Sequence, residues 1–260
     1  DLNNEIVIKK PELDKLLEAL RRRGYQTVGP QIKDQVLQYG PIETLADLPQ
    51  GHTSVQESAH YRVEAGAHSR YFNITHGAQS WKQFIFPARK ELFRLKKENG
   101  HWERVAAESE HPAYALIGVR ACDLAAINIL DDVLIREDFY DPDYSARRSR
   151  LFILAADCLN PSGTCFCASM GTGPSAKTGY DIKLVELEDV FLLKIGSDIG
   201  LAVAGEISWE PAGAFHQKAA QQGLEKAAQM MGRKLEEVEK IPEMLLSQLE
   251  SPLWTDVGHR

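Results

Sequence analysis

The sequence predicts a mixed α/β fold: a mixed β-sheet, a βαβ-like unit that carries the cysteines, and a C-terminal helical segment. Three patterns lead there. Apolar runs of strand length recur through residues 114–204, leucines at helical spacing mark a helix near the start, and the character turns helical beyond Pro211. The chain accordingly divides into residues 1–110, mixed α+β with antiparallel strands, residues 111–206, which carry the cysteines, and the helical residues 207–260.

Residues 5–9 alternate as a strand does, and residues 11–23 read as a helix with Leu13, Leu16, Leu17 and Leu20 on one face. Pro11 suits its first turn, Arg21, Arg22 and Arg23 complement the C-terminal dipole as a solvated end, and Gly24 can take the left-handed cap. Short β-like pieces at 25–28, 35–38 and 61–64, broken by Gly-Pro and Gly-His, predict antiparallel sheet. Trp81, Phe84, Ile85 and Phe86 read as core, with a partner surface as the alternative. Asn99-Gly100, between residues 91–97 and 101–106, predicts a hairpin.

Residues 114–119 then form a strand, and Asp123 caps a helix that runs through Leu124, Ile127, Leu130, Val133 and Leu134. A second strand at 151–155 delivers the chain to Cys158, so two strands end at cysteines with a helix between them, as in a βαβ unit. Strands at 181–186, 190–195 and 201–204 complete the sheet, and helices follow at 214–231 and 242–249.

At 260 residues the chain is long enough to bury a full core. A formal charge of −7, a pI near 5.7 and the lack of a dense Lys/Arg run argue against nucleic acid or an anionic membrane surface as the main partner. No apolar run approaches a membrane span, and the first residues lack the basic and apolar regions of a signal peptide, so a soluble cytoplasmic protein is expected. Four cysteines are too few for a disulfide scaffold in a chain of this length; their clustering suits a metal site in a reducing compartment.

Three of the four lie close together, as Cys158, Cys165 and Cys167. If Cys165-Phe166-Cys167 is extended, both sulfurs emerge on one side, and two residues of strand rise roughly 6.6 Å. Sulfurs on one tetrahedral zinc stand only about 4 Å apart. An iron–sulfur cluster accepts wider spacing, because each thiolate binds its own iron. Residues 159–164, with Pro161 and Gly163, form a turn that folds Cys158 toward the same centre. Cys122 sits at a strand-to-helix junction, where the helix N-terminus and Arg120 are expected to lower its pKa and favour the thiolate. Taken alone it reads equally as a small buried hydrophobe.

Other motifs are weaker. Residues 171–178 approach the phosphate-loop pattern, but Ala176 replaces the second glycine and a strand rather than a helix follows; the glycines better suit close backbone approach to sulfur. The eight histidines show no metal-binding spacing, so none is assigned to a metal. Asp141 and Asp143 read as turn residues beside Pro142, and Met230-Met231 as core filler.

Four stretches together resemble a known family: Gly118-Val119-Arg120-Ala121-Cys122-Asp123-Leu124; Asp141-Pro142-Asp143-Tyr144 with Arg147-Arg148; Cys158 with Cys165-Phe166-Cys167-Ala168-Ser169-Met170-Gly171; and Gly179-Tyr180-Asp181. They are similar to the iron–sulfur beta subunits of sulfhydrogenases and the corresponding iron–sulfur subunits of anaerobic sulfite reductases. The likeness is densest over residues 114–204, with Trp81-Lys82-Gln83-Phe84-Ile85-Phe86-Pro87 the best match before them. The resemblance implies an electron-transfer subunit without a substrate pocket of its own. Its partners would be a catalytic hydrogenase or reductase subunit on one side and a flavin- or NAD(P)-binding subunit on the other. It implies Cys122, Cys158, Cys165 and Cys167 as ligands of a [4Fe–4S] cluster. Such subunits usually carry a ferredoxin-like module with two Cys-x2-Cys-x2-Cys-x3-Cys runs; these 260 residues hold no such cysteines, so further clusters are expected outside this stretch. A zinc-stabilised partner-binding module on the same four thiolates is the alternative.

Overall fold

The computed structural model describes residues 5–259 apart from 58, 78, 99, 107–110 and 137. The first half of the chain forms β1 (Glu5–Lys9), α1 (Glu12–Arg22), β2 (Gln26–Lys33), β3 (Val36–Pro41), β4 (His52–Glu57), β5 (His60–Ala65), α2 (Lys82–Ile85), β6 (Phe93–Glu98) and β7 (His101–Ala106). The second half forms β8 (Tyr114–Val119), α3 (Ala121–Asp131), α4 (Pro142–Arg148), β9 (Phe152–Ala156), β10 (Ile182–Glu186), β11 (Val190–Ile195), α5 (Asp198–Ala204), β12 (Glu210–Pro211), α6 (Ala214–Met230), α7 (Ile241–Ser247) and α8 (Leu253–Gly258).

Eight strands make one mixed sheet in the order β12-β1-β11-β10-β9-β8-β2-β3. Its centre, from β10 through β9 and β8 to β2, is parallel, and antiparallel pairings flank it on both sides. Strands from residues 1–110 and 111–206 therefore share this sheet. Side chains alternate along a strand, so β9 sends Phe152, Leu154 and Ala156 to one face and Ile153 and Ala155 to the other.

The first face is covered by Leu13, Leu16, Leu17 and Leu20 of α1 and by Val203 and Ala204 of α5. Each fully buried leucine contributes about 1.5–3 kcal/mol, which makes this stripe the reason α1 docks. The second face is covered by Leu124 and Ile127 of α3, Tyr144 of α4, and Trp81 and Ile85 around α2. Further along the same face, Ala220 of α6 packs on Val7, Val185 and Leu192.

The expected βαβ unit is present: β8 and β9 are parallel, with α3 and α4 between them in the chain. The register runs Ala115–Phe152, Leu116–Ile153 and Ile117–Leu154, then shifts so that Val119 faces Ala155. Gly118 takes up the shift as a bulge, with φ +91°, and a Cβ there would stand 2.8 Å from Phe72 Cε1. β9 and β10 are parallel neighbours too, yet residues 157–181 between them contain no helix. A parallel neighbour needs a crossover, usually helical; here the cysteine loop is the crossover.

Several local expectations change. Residues 201–204 belong to α5, not to a strand, because Ser197 caps a helix there, its Oγ accepting from the Gly200 N–H at 3.1 Å. The piece at 25–28 lies inside the sheet: β2 pairs antiparallel with β3 but parallel with β8, a non-local pairing that turn signals do not encode. Asp123 stands in the first turn of α3 and its carboxylate accepts the Arg120 N–H at 3.0 Å, so it closes the helix start from the inside. Asp141 is a helix cap, accepting the N–H groups of Asp143 and Tyr144 at 2.9 and 3.0 Å. Arg22 and Arg23 are not simply solvated but pair with Glu206.

Trp81 and Ile85 are core, while Phe86 is partly exposed. In the β6–β7 hairpin Glu98 faces His101 and Gly100 has φ +85°; Asn99 lies outside the described residues. Among the described residues no helix is long and apolar enough to cross a membrane.

Gly118→Ala is expected to cost about 1–3 kcal/mol, from the positive φ and the contact with Phe72. Urea denaturation would show a lower midpoint at unchanged slope; an unmoved midpoint would mean that the bulge tolerates a side chain.

Candidate metal centre

The carboxyl ends of β8 and β9 lie side by side, and both lead into cysteines. Cys122 is the second residue of α3, and Cys158 lies just past the end of β9. All four thiols are half-buried and free.

The loop from Cys158 is closed at its base by Asp157, which is 3% exposed. Its carboxylate accepts the Ala176 N–H at 2.8 Å and the Ser175 hydroxyl at 2.7 Å, and pairs with Lys183 at 3.3 Å. The Cys158 N–H donates to the Pro174 carbonyl at 3.0 Å.

On one side β4 holds the loop, through Asn160 donating to Thr53 at 3.0 Å and Ser162 donating to Gln56 at 3.0 Å. On the other, the segment after α6 covers it: the Ala168 N–H points to Met231 Sδ at 3.3 Å, the Arg233 N–H donates to the Cys165 carbonyl at 3.2 Å, and the Leu235 N–H to Ser169 Oγ at 3.0 Å. Residues 167–171 form turns and no strand runs through Cys165-Phe166-Cys167; Phe166 points outward, 45% exposed, between two half-buried cysteines.

Glycine lets the returning chain press on sulfur. A Cβ at Gly173 would stand 2.6 Å from Cys167 Sγ and 3.6 Å from Ala121 Cβ, which places this backbone between Cys167 and the start of α3. The Ser162 N–H reaches Cys165 Sγ at 3.3 Å.

Burial dominates the electrostatics of the thiols. Cys122 is pushed up to about 12, first by desolvation, then by Asp123, Cys167 and Cys158, with Arg120 opposing. Cys167 is pushed up to about 11 by desolvation and then by Cys158 and Cys165. Desolvation also raises Cys158, with Arg120 opposing it most strongly. The expectation that the helix end and Arg120 depress Cys122 is overturned, because the thiol is too deeply desolvated for one nearby cation to prevail.

The four thiols lie near enough to influence one another: Cys158 and Cys167 raise Cys122, Cys158 and Cys165 raise Cys167, and Cys165 raises Cys158. Yet among the described residues no three His, Cys, Asp or Glu side chains close on a single-ion position.

Arg120, only 7% exposed, lies at this junction. Its guanidinium donates to the carbonyls of Phe72 (2.6 Å), Ile74 (2.9 Å), Ala156 (3.2 Å) and Asp157 (3.3 Å). Among the described residues no carboxylate lies within ion-pair distance of it.

Two neighbours escaped sequence reasoning. His76 Nε2 is 3.1 Å from Cys122 Sγ, and Met231 Sδ is 3.9 Å from Cys167 Sγ. Neither residue has a spacing relative to the cysteines that would single it out; Met230 is exposed and only Met231 is buried, at the loop. A cleft of about 710 Å³ between α6 and the β10–β11 turn includes Leu159 and Asn160 in its lining but none of the cysteines.

No family model matches the chain, and no solved structure does. The sequence is 36% identical over 129 residues to a protein of Pyrococcus furiosus named sulfhydrogenase 2 subunit beta. The aligned stretch is 50% of this chain and 35% of that relative, so the match spans about a third of the relative's length. Half of this chain is thus homologous to a sulfhydrogenase beta subunit, in agreement with the resemblance carried by the cysteine motifs.

Proposed function

We propose that this chain is the iron–sulfur, electron-transferring part of a hydrogenase- or sulfite reductase-type complex, and that Cys122, Cys158, Cys165 and Cys167 hold a [4Fe–4S] cluster. The carrying observation is that Cys122 and Cys158, at two separate strand ends, lie within electrostatic reach of the buried Arg120 guanidinium, which among the described residues has no carboxylate at ion-pair distance. Four thiolates around an iron–sulfur core carry net negative charge, and an unneutralised Arg120 offsets it in a site too dry for water to do so.

The name of the relative favours this reading over the zinc-stabilised module. Four sulfurs on one zinc need separations of about 4 Å, whereas sulfurs each bound to a different iron stand wider. When bound, the cluster supplies one-electron transfer. The chain's own residues hold the thiols, supply N–H donors around sulfur, and shield Cys167 with Met231. The name of the relative supports a complex in which a catalytic subunit is one partner. The same proposal includes a flavin- or NAD(P)-binding protein as the other redox partner, no catalysis by this chain itself, and a cytoplasmic setting.

Anaerobically isolated protein should be brown, with iron and acid-labile sulfide near four each per chain as in a [4Fe–4S] unit; colourless protein with stoichiometric zinc would support the alternative. Cys165→Ser should lose the cluster or leave a smaller one, seen in visible absorbance and electron paramagnetic resonance, and an unchanged spectrum would remove Cys165 from the ligand set. Arg120→Lys keeps the charge but cannot span four carbonyls. It should destabilise the protein by about 1–3 kcal/mol by urea titration, and wild-type stability would show that the carbonyls do not depend on the guanidinium.

A further inference from the structure

The segment between β5 and α2 is pinned before it reaches the metal centre. Glu186 is 3% exposed and accepts the N–H groups of Tyr71 and Phe72, the latter at 2.8 Å. Arg120 takes the carbonyls of Phe72 and Ile74, and Ser54 Oγ accepts the Thr75 N–H at 3.0 Å. The next residue is His76, whose Nε2 lies 3.1 Å from Cys122 Sγ. Its other nitrogen, Nδ1, lies 3.5 Å from the Tyr39 hydroxyl and 3.7 Å from the Asp123 carboxylate.

We propose that His76 is a positioning residue for the metal centre: its Nε2–H donates a hydrogen bond to the Cys122 sulfur and holds the reduction potential of the centre up. This rests on Cys122 being a cluster ligand, as in the function proposed above. A ligating thiolate has no hydrogen to give, so the 3.1 Å contact requires the hydrogen on Nε2. The surroundings of Nδ1 secure that arrangement. A neutral ring accepts at Nδ1 from the Tyr39 hydroxyl, which desolvation keeps protonated well above the ordinary phenol range. A charged ring presents Nδ1–H toward Asp123. Nε2 is the donor either way.

A donor on a ligating sulfur draws electron density from the metal centre and so stabilises its more negative, reduced state. The Nη N–H groups of Arg120 are turned to backbone carbonyls, and the contact with Cys122 Sγ comes from His76.

The test is a potentiometric titration followed by electron paramagnetic resonance on the anaerobic, cluster-loaded chain. His76→Phe, which fills the site without a donor, should lower the reduced-to-oxidised ratio at a given ambient potential about tenfold, which for a one-electron couple is about 59 mV more negative. His76→Gln, which keeps an N–H donor, should recover most of that shift. An unmoved potential in a His76→Phe protein with full iron and sulfide overturns the proposal, as does a shift that His76→Gln fails to recover, since that marks packing alone. If His76→Phe does not assemble, pulsed resonance on unaltered protein labelled with 15N-histidine decides. Weak nitrogen coupling supports the bond; no coupling, or the strong coupling of a directly bound nitrogen, overturns it. Unaltered protein that takes up no iron or sulfide refutes the cluster itself, a result distinct from a cluster whose potential ignores His76.

Discussion

The guanidinium of Arg120 ties together three stretches of chain at the carboxyl ends of two parallel strands. It donates to the carbonyls at the end of β9 and to two carbonyls of the segment after β5, while its own backbone opens α3. A buried cation of this kind is costly unless its donors are used, and here the acceptors are backbone carbonyls at the ends of elements, which need donors themselves. The same contacts set the distance between Cys122 and Cys158, because one cysteine follows Arg120 and the other follows the carbonyls it holds.

The cysteine loop gains its order from its borders. A crossover between parallel strands is ordinarily a helix whose backbone satisfies itself. Residues 157–181 lack that economy and instead lean on Asp157 at the base, β4 on one flank and the segment from Met231 to Leu235 on the other. The covering segment is held so closely that Gly232 faces the Gly163 carbonyl with no space for a side chain. The C-terminal helical stretch is thus part of the site's wall as well as a cover for the sheet through Ala220.

Desolvation sets the chemical state of the thiols. It raises Cys122, Cys158 and Cys167, and a neighbouring cysteine raises each one further. A thiol held this high is a poor free nucleophile. In the proposed role these thiols would be ligands, and the surrounding dry shell would limit loss and exchange of the bound group.

The strands at 5–9, 114–119 and 190–195 and the helix beginning near Pro11 were legible because alternation and leucine spacing are local signals. So was the placement of Cys122 and Cys158 just past two neighbouring strands, since each follows an apolar run. The short apolar piece at 201–204 was misread as strand because its cap, Ser197, acts from outside the run. What only the tertiary structure decided were pairings between distant residues. These include β2 lying parallel to β8, Met231 reaching Cys167, and His76 meeting Cys122 through a segment pinned by Glu186 and Arg120. The thiol pKa values belong there too: residue types near Cys122 argued for a lowered value, but burial, a property of the folded whole, outweighs one neighbouring charge.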